Sequence, residues 1–350
     1  MNKPASPASP KSRHQTTEAL AIAIDTAFDQ PVRDDSDSSP LGESESLLES
    51  TASLSSTIFN YRKVHGRTFP NFKDAEYWAP NDEKQNEGLD LHHHMTLLFH
   101  NDKLHVAPLK NPQNVLDIGT GTGIWAIDFA DEYPSAIVTG TDISPIQPPW
   151  APPNCKFELD DASLEWTFAD NSFDYIHITQ LIGCIEDWPK LYRQAYRCLK
   201  PGGWIEHTDF TVRVLTDDNS VPKDDPYKMW NQFFEQATEK TGRSFHLAEE
   251  NKLADWLKES GFPSVQVENY RVPIGHWPAE RKWKDVGLYS LAGFLQGLEG
   301  YCIFLGTEVL GWHIDELRVF FAKMRTVMTN PKVHAYYPAV TAYGQKPPVS

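Results

Sequence analysis

The chain has 350 residues, of which 40% are hydrophobic and 12% aromatic, which is ordinary for a globular protein. Its formal net charge of −16 argues against general nucleic-acid binding, because phosphate contacts need clustered lysine and arginine. Four scattered cysteines without a CxxC spacing favour a reducing compartment. The sequence shows no signal-peptide layout and no run of about 20 apolar residues. We therefore expect a cytoplasmic or nuclear protein that is neither secreted nor membrane-bound.

The N-terminal segment 1–56 is predicted to be a disordered, acidic, serine-rich tail. Its stretch RDDSDSSPLGESESLLESTASLSS has neither helical nor strand periodicity. Such a segment cannot bury enough apolar surface to offset its conformational entropy. The globular domain is expected over 57–350. Its central core is assigned to 110–210, and a cap with the C-terminal helices to 221–330.

Short apolar runs alternate with helical patterns in the globular part. Strands are predicted at 115–118, 136–141, 157–159, 173–178 and 204–207, with helices at 124–133 and 188–199. Further along the chain, helices are predicted at 227–239, 247–260, 282–298 and 314–328, and strands at 265–272 and 333–343. Strands that alternate with helices predict a parallel sheet with crossover connections.

The stretch VLDIGTGTGIWAIDFA, residues 115–130, joins a strand to a helix through Gly119, Gly121 and Gly123. The dinucleotide fingerprint GxGxxG needs a glycine at position 124, where Ile124 stands, and a Walker loop needs a lysine that this stretch lacks. The loop therefore predicts close approach of a ligand to the backbone, but it is a poor cradle for a pyrophosphate.

Carboxylates follow the first three strands of this core. Asp117 precedes the first glycine, Asp142 ends the second strand, and Asp161 ends the third. A carboxylate at Asp142 can accept both hydroxyls of a ribose, as it would in an NAD site, and Asp161 can accept the amine of an adenine. Adenosine without a pyrophosphate site fits S-adenosylmethionine, whereas a nicotinamide dehydrogenase depends on Asp142 and the strand–helix alternation alone. Turn and cap carboxylates without a ligand are the remaining alternative.

These stretches, with TDISPIQPPWAPPN, FELDDASLEWTF, NSFDYIHI and LKPGGWIEH, resemble the motif series of class I methyltransferases. More narrowly, FNYRKVHGRTF, YWAPNDEKQNEGLDLHHHM and KVHAYYPAVTAYGQKP make the chain similar to fungal LaeA-like methyltransferases over about residues 58–348. The resemblance implies an α/β, Rossmann-like class I fold. Its sheet would be seven-stranded and mostly parallel with an antiparallel last strand, helices on both faces and a helical cap.

The resemblance also implies S-adenosyl-L-methionine as the methyl donor. The predicted donor-binding residues are Asp117, Gly119, Thr120, Gly121, Gly123, Asp142, Ile143, Asp161, Ala162, Thr179 and His93. That family usually has arginine at the positions of Gly88 and Thr179, and histidine at that of Pro70. Thr179 would follow the fourth strand beside the methionine end of the donor, so we expect a changed substrate pocket.

Methyl transfer from a sulfonium needs few catalytic side chains, because the donor is already activated and positioning dominates. His207, in GGWIEHTDF, is the candidate general base, and a histidine packed at a strand end is the equal alternative. Glu206 is expected to order the pocket. The run His92–His94 is not expected to bind a metal, since adjacent helical histidines point about 100° apart and neither a carboxylate nor a cysteine completes the ligand set.

These observations favour an S-adenosylmethionine-dependent methyltransferase that acts on a small molecule in fungal secondary metabolism. The acceptor is expected between Thr179, Gln180, His207 and the cap, with aromatic candidates for its pocket at Trp230, Phe233, Phe234, Trp256, Trp277 and Trp283. The alternative is a LaeA-like regulator in a velvet-type complex, which methylates protein or itself and binds its partner through the tail. The absence of a lysine- and arginine-rich nuclear signal counts against it.

Overall fold

The structure is a computed structural model that describes residues 61–71, 77–249 and 252–349, so the predicted tail 1–56 lies outside the described residues. The strands are β1 (Arg62–Val64), β2 (Arg67–Phe69), β3 (Asn114–Ile118), β4 (Ile137–Asp142), β5 (Cys155–Leu159), β6 (Phe173–Thr179), β7 (Leu199–Phe210), β8 (Leu215–Thr216), β9 (Val265–Pro273) and β10 (Ala335–Gln345). The helices are α1 (Glu83–Phe99), α2 (Ile124–Glu132), α3 (Trp188–Cys198), α4 (Pro226–Thr241), α5 (Lys252–Glu259), α6 (Arg281–Phe304) and α7 (Ile314–Met328). A π-helical turn, Leu305–Val309, continues α6.

The central sheet contains all strands from β3 to β10. Its order is β5-β4-β3-β6-β7-β10, with both β9 and the two-residue β8 paired to β10. Strands β3 to β7 pair in parallel, and β10 runs antiparallel to β7 and to β9. The expected mostly parallel sheet with an antiparallel last strand is confirmed, and β8 adds an eighth short strand.

Alternating side chains on β3 explain why helices cover both faces of the sheet. Val115 packs into an apolar cluster with Trp125 and Phe129 of α2. Leu116 and Ile118 point the other way, into a cluster that includes residues of α3 and α5. A third cluster joins α1, α4, α6 and α7 into a helical cap at one end of the sheet.

Helix α6 and the π-helical turn that continues it form one long apolar segment. The segment Arg281–Val309 is long and apolar enough to span a membrane by length and composition, and its most apolar 18-residue window has a mean hydropathy of 1.2. Half of its most apolar window is buried inside the molecule. Its buried Phe294 and Leu298 belong to the cap cluster, so the apolar character of α6 serves internal packing here.

Parallel pairing places the carboxyl ends of β3, β4, β5 and β6 along one edge of the sheet. The chain leaves β3 toward β4 on one side, whereas β6 pairs with the other side of β3. A crevice forms outside the strand ends at such a reversal of strand order, which is where ligands bind in open α/β sheets. The motif loops after these four strands therefore meet in one place.

Three features differ from the sequence-based prediction. The fifth predicted strand, β7, extends over Leu199–Phe210 because it pairs with β6 on one side and β10 on the other, so Lys200-Pro201-Gly202 belongs to this strand. The hairpin of β1 and β2 was not predicted. The bounds of α1 were not predicted either, although its N-cap is clear, since Asp82 accepts a hydrogen bond from the N–H of Gln85.

Candidate active site

A cavity lies over the carboxyl ends of β3 to β6 and against α1; we call it the strand-end cavity. Ten of the eleven predicted donor-binding residues line it, and Gly123 is the exception. Those that line it are Asp117, Gly119, Thr120, Gly121, Asp142, Ile143, Asp161, Ala162, Thr179 and His93. The sequence motifs therefore converge on one cavity.

The glycine loop after β3 has a left-handed backbone at all three glycines, with φ of 69° at Gly119, 57° at Gly121 and 82° at Gly123. A Cβ atom at Gly119 would overlap the side chain of Leu181, which itself lines the cavity. A Cβ at Gly123 would lie 2.5 Å from the Phe157 ring of β5. The prediction for Gly123 is thus corrected, because this glycine serves the packing of α2 against the sheet rather than the cavity.

Asp142, at the end of β4, connects two motif loops. Its Oδ2 accepts a hydrogen bond of 2.8 Å from the N–H of Gly121, and its Oδ1 accepts one of 2.8 Å from the N–H of Ser144. Burial raises the pKa of Asp142 to about 6. Each carboxylate oxygen has a second lone pair, so Asp142 keeps the capacity to accept the two hydroxyls of a ribose.

Asp161 follows β5 and starts a tight turn. Its Oδ1 accepts hydrogen bonds from the N–H of Ser163 at 2.9 Å and from the Ser163 hydroxyl at 2.6 Å. This arrangement fixes the carboxylate at the cavity wall beside Asp160, which also lines the cavity and accepts the N–H of Asp161 at 2.9 Å. The geometry suits an acceptor of a nucleobase amine at this end of the cavity.

Asp117 is almost fully buried and forms a hydrogen bond with Thr120 of the glycine loop. Its Oδ2 accepts the Thr120 hydroxyl at 2.6 Å, and its Oδ1 lies 2.8 Å from Nδ1 of His177. The His177 ring stacks on Trp125 with 3.7 Å between the ring centroids. Burial lowers the pKa of His177, which favours the neutral ring. His177 is thus a packed core histidine that also lines the cavity.

Two further predicted residues, His93 and Thr179, also line the cavity. Nε2 of His93, on α1, lies 2.8 Å from Oδ2 of Asp128 on α2, which holds α1 against the core. The Thr179 hydroxyl at the end of β6 is buried, and it has no hydrogen-bond partner within the described part of the chain. Native structures rarely leave such a group unpaired, so an unpaired hydroxyl at a cavity wall fits a polar ligand group there. The residues present therefore fit S-adenosylmethionine.

The structure corrects the prediction for His207. This residue is fully buried and does not line the cavity. Its Nδ1 lies 2.6 Å from the Tyr192 hydroxyl, and its Nε2 lies 3.1 Å from Oδ2 of Asp209. With both ring nitrogens engaged and no access to the cavity, His207 has the packed role that was its alternative.

Glu206, the neighbour of His207, also lies outside the cavity lining. Its carboxylate accepts hydrogen bonds from the N–H groups of Val106, at 2.9 Å, and Ala107, at 2.6 Å. Burial raises the pKa of Glu206 to about 7. It orders the segment between α1 and β3, and so acts on the cavity only through the backbone.

A second cavity adjoins the first and is lined mainly by aromatic side chains; we call it the aromatic cavity. The two cavities share Tyr77, Leu89 and Gln180. The aromatic rings that line the second cavity are Tyr77, Trp78, Phe210, Trp230, Phe234, Phe294, Tyr301 and Tyr337. Of the predicted aromatic candidates, Trp230 and Phe234 lie there, whereas Phe233, Trp256, Trp277 and Trp283 do not.

Sequence reasoning missed several residues of the two cavities. Tyr77 and Leu89 come from the segment before β3. Cys184 lines the strand-end cavity from the loop after β6, and Arg243 lines it from the loop after α4. The stretch YWAPNDEKQNEGLDLHHHM contains the first two and was the available signal. Among the described residues, no group of three His, Cys, Asp or Glu side chains is placed to hold a metal ion.

Comparison with known proteins gives the family. A model described as a methyltransferase domain matches residues 91–267. Methyltransferase pytC of Aspergillus terreus is 36% identical over 301 residues, which is 85% of this chain and 92% of that protein. Secondary metabolism regulator LAE1 of Cochliobolus heterostrophus is 35% identical over 284 residues, 79% of this chain and 92% of that protein.

Among solved structures, phosphoethanolamine N-methyltransferase 2 of Haemonchus contortus in complex with S-adenosyl-L-methionine is 21% identical, with a TM-score of 0.41 over 75% of this chain and 53% of that one. The sequence relatives and the matched domain carry the assignment. The chain therefore belongs to the methyltransferase-domain family, among the fungal LaeA-like proteins, and it is an enzyme whose methyl donor is S-adenosylmethionine.

Proposed function

We propose that this enzyme transfers the methyl group to a small, largely apolar molecule in fungal secondary metabolism. One observation carries the proposal: the strand-end cavity shares the walls formed by Tyr77, Leu89 and Gln180 with the aromatic cavity. An apolar cavity next to a donor site suits a small organic acceptor. The relative named methyltransferase pytC and another named probable methyltransferase tdiE, 33% identical over 75% of this chain, support the biosynthetic direction.

When bound, S-adenosylmethionine supplies a methyl group that its sulfonium already activates. Asp142 and Asp161 would hold the ribose and the adenine, and Thr179 with His93 would face the methionine end. The buried pair of Asp117 and His177 holds the loop in place for this task. The chain contributes mainly by positioning, which is worth several kcal/mol, up to about 7–11, in well-oriented reactions.

A second candidate function is regulatory. The relative named secondary metabolism regulator LAE1 and one named secondary metabolism regulator laeA of Aspergillus fumigatus, 32% identical over 83% of this chain, favour it. In this role the acceptor would be a protein or the chain itself, and the segment 1–56 would bind the partner. The proposed location is the cytoplasm for the biosynthetic role and the nucleus for the regulatory one.

The deciding experiment uses methyl-labelled S-adenosylmethionine. The purified full chain is incubated with the labelled donor and a fungal extract, and the label is then separated into solvent-extractable and protein fractions. Label in the extractable fraction supports the biosynthetic role and delivers the product for identification. Label confined to protein contradicts it and favours the regulatory role.

Deletion of residues 1–56 separates the two roles further. A small-molecule enzyme should keep its activity on the extract, because all the described residues that line the two cavities lie beyond the tail. A regulator that binds its partner through the tail should lose that partner in a pull-down. Loss of small-molecule methylation on deletion would contradict the proposed role of the cavities.

A further inference from the structure

One residue that lines the aromatic cavity, Gln85, has a buried oxygen without a hydrogen-bond partner in the described part of the chain. Gln85 on α1 is 2% exposed and lines this cavity, and its Oε1 is buried without a hydrogen-bond partner among the described residues. A buried carbonyl oxygen without a partner is unfavourable, and native structures retain few of them. Such an atom in a cavity wall indicates that something else donates a hydrogen bond to it.

The position of Gln85 in α1 is one at which a glutamine side chain usually has a hydrogen-bond partner. It is the third residue of α1, and the N-cap Asp82 accepts the N–H of Gln85 at 3.1 Å. A glutamine at this position commonly reaches back to the N–H of the N-cap residue and completes a capping box. Here its Oε1 is instead buried and unpartnered, on a side chain that lines the aromatic cavity and packs against α6. Gly300 of α6 leaves the room, because a Cβ atom there would overlap Oε1 of Gln85.

Three other polar atoms on residues that line the same cavity have partners within the protein. Nε1 of Trp230 donates to the carbonyl of Val212 at 2.7 Å, and Nε1 of Trp78 donates to that of Ile182 at 3.2 Å. Nδ1 of His92 lies 2.8 Å from the carbonyl of Gly88, and burial lowers the pKa of this histidine.

The side chains in the wall of the aromatic cavity indicate which class of ligand it can bind. Among the described residues that line the aromatic cavity, none is Asp, Glu, Lys or Arg. A charged ligand would lose its hydration there without an ionic partner, which is costly. The wall therefore suits an uncharged ligand.

We propose that the aromatic cavity binds the methyl acceptor, that this acceptor is an uncharged aromatic or alicyclic compound, and that Gln85 recognises a hydroxyl or N–H group on it. The proposal rests on the proposed function, because it names the acceptor class of that reaction. Gln85 is a specificity-determining residue in this role, and it does not touch the reacting methyl group.

The test compares two probes that differ by one hydroxyl, p-cresol and toluene, titrated by calorimetry into the full chain without donor. The wild type should bind p-cresol about fivefold or more tightly than toluene, as expected for one net hydrogen bond. Gln85→Met keeps the length of the side chain but removes the oxygen. It should bind toluene as the wild type does and lose the preference for p-cresol.

A stability readout separates recognition from a structural role. Because Gln85→Met removes an unpartnered buried oxygen, its melting temperature should equal or exceed that of the wild type. The matched control is Gln194→Met, since the Gln194 amide is satisfied by the N–H of Trp166, at 2.6 Å, and the carbonyl of Leu164, at 2.7 Å. This control should melt lower and keep the p-cresol preference. Gln85→Leu repeats the test if the methionine variant does not fold.

The outcomes test the role of Gln85 separately from the proposed methyltransferase function. A p-cresol preference that survives in both Gln85 variants, or a wild type that binds neither probe, overturns the inference. Because no donor is present, these results do not depend on methyl transfer. Label confined to protein in the transfer experiment would overturn the proposed function instead, whatever the probes do.

Discussion

Oδ2 of Asp142 accepts the N–H of Gly121 at 2.8 Å, so the carboxylate at the end of β4 directly holds the glycine loop that follows β3. The carboxylate that we propose to bind the ribose therefore also fixes the loop. A substitution at this strand end is expected to affect both the loop and the donor.

Replacing Asp142 should weaken donor binding. Asp142→Ala removes the ribose acceptor and frees the N–H of Gly121, and hydrogen bonds to charged groups contribute about 1.5–3 kcal/mol. We expect the Kd for S-adenosylmethionine to rise about tenfold to a hundredfold, measured by calorimetry. Asp174→Ala is the matched control, because Asp174 accepts the N–H of Asn114, at 2.8 Å, at the opposite end of β3. Unchanged affinity in Asp142→Ala would remove the ribose assignment.

Substitution of Gly119 tests the close approach at the loop. Gly119→Ala meets two penalties, a left-handed backbone with φ of 69° and an overlap with Leu181, which would be pushed into the strand-end cavity. Gly202→Ala meets only the first, since its φ is 83° and nothing lies within 4 Å of the added Cβ. The backbone penalty is about 1–2 kcal/mol in each variant.

Both glycine variants should thus melt at lower temperature, but only Gly119→Ala should also bind the donor at least about tenfold more weakly. Thermal unfolding and calorimetry on the same preparations give the two quantities. Equal donor affinities in the two variants would show that the loop does not approach the ligand closely.

Local sequence signals were sufficient to predict which residues meet at the strand-end cavity. Gly119 follows β3 directly, Asp142 is the last residue of β4 and Asp161 comes two residues after β5. Parallel pairing brings these strand ends together whatever the rest of the chain does. The order of the motifs along the chain thus predicted their convergence. Gly123 was misassigned because the pattern of glycines does not tell which of them faces a ligand and which faces Phe157.

The aromatic cavity could not be predicted in the same way. α1 buries Gln85, Gly88, His92 and His93 on its inner face, so it lacks the apolar stripe by which a helix is usually recognised. Gln85 lines the aromatic cavity together with Phe294 and Tyr301 because α1 packs against α6, about 200 residues away in sequence. Contacts at such separation leave no periodic signal in either segment.

The buried carboxyl of Glu206 should make stability depend on pH. Its pKa of about 7 in the folded protein lies above its ordinary value of 4.5, so the folded state holds a proton that the unfolded chain releases. This contribution to stability is fully present below about pH 4.5 and is lost as the pH rises through about 7. Glu206→Gln carries no titrating group at this position, so its free energy of unfolding should fall less between pH 5 and 8.

Urea unfolding at several pH values measures this difference between Glu206→Gln and the wild type. Glu158→Gln serves as the control, because Glu158 is partly exposed on β5 and pairs with Lys156 at the surface. It should follow the wild-type pH profile. Parallel profiles for Glu206→Gln and the wild type would contradict a raised pKa for Glu206.

The last prediction concerns His207, whose buried ring links Tyr192 to Asp209. Asp209 in turn accepts the N–H of Leu181 at 3.0 Å, in the loop that lines the strand-end cavity. His207→Phe leaves the Tyr192 hydroxyl and one oxygen of Asp209 short of a partner, so the free energy of unfolding should fall by about 1–3 kcal/mol. Tyr192→Phe breaks the same chain from the other side and should have a smaller effect of the same kind.

Because His207 has no access to the cavity, neither variant should change the shape of the pH–rate profile for methyl transfer, measured with the labelled donor on folded protein. If His207 is structural, His207→Phe should therefore lower the free energy of unfolding and leave the pH–rate profile unchanged. The opposite result, an intact fold that loses a limb of the profile near neutrality in His207→Phe but not in Tyr192→Phe, would restore His207 as a general base. It would also require the loop around Leu181 to open during the reaction, since only such a movement could expose the ring to an acceptor.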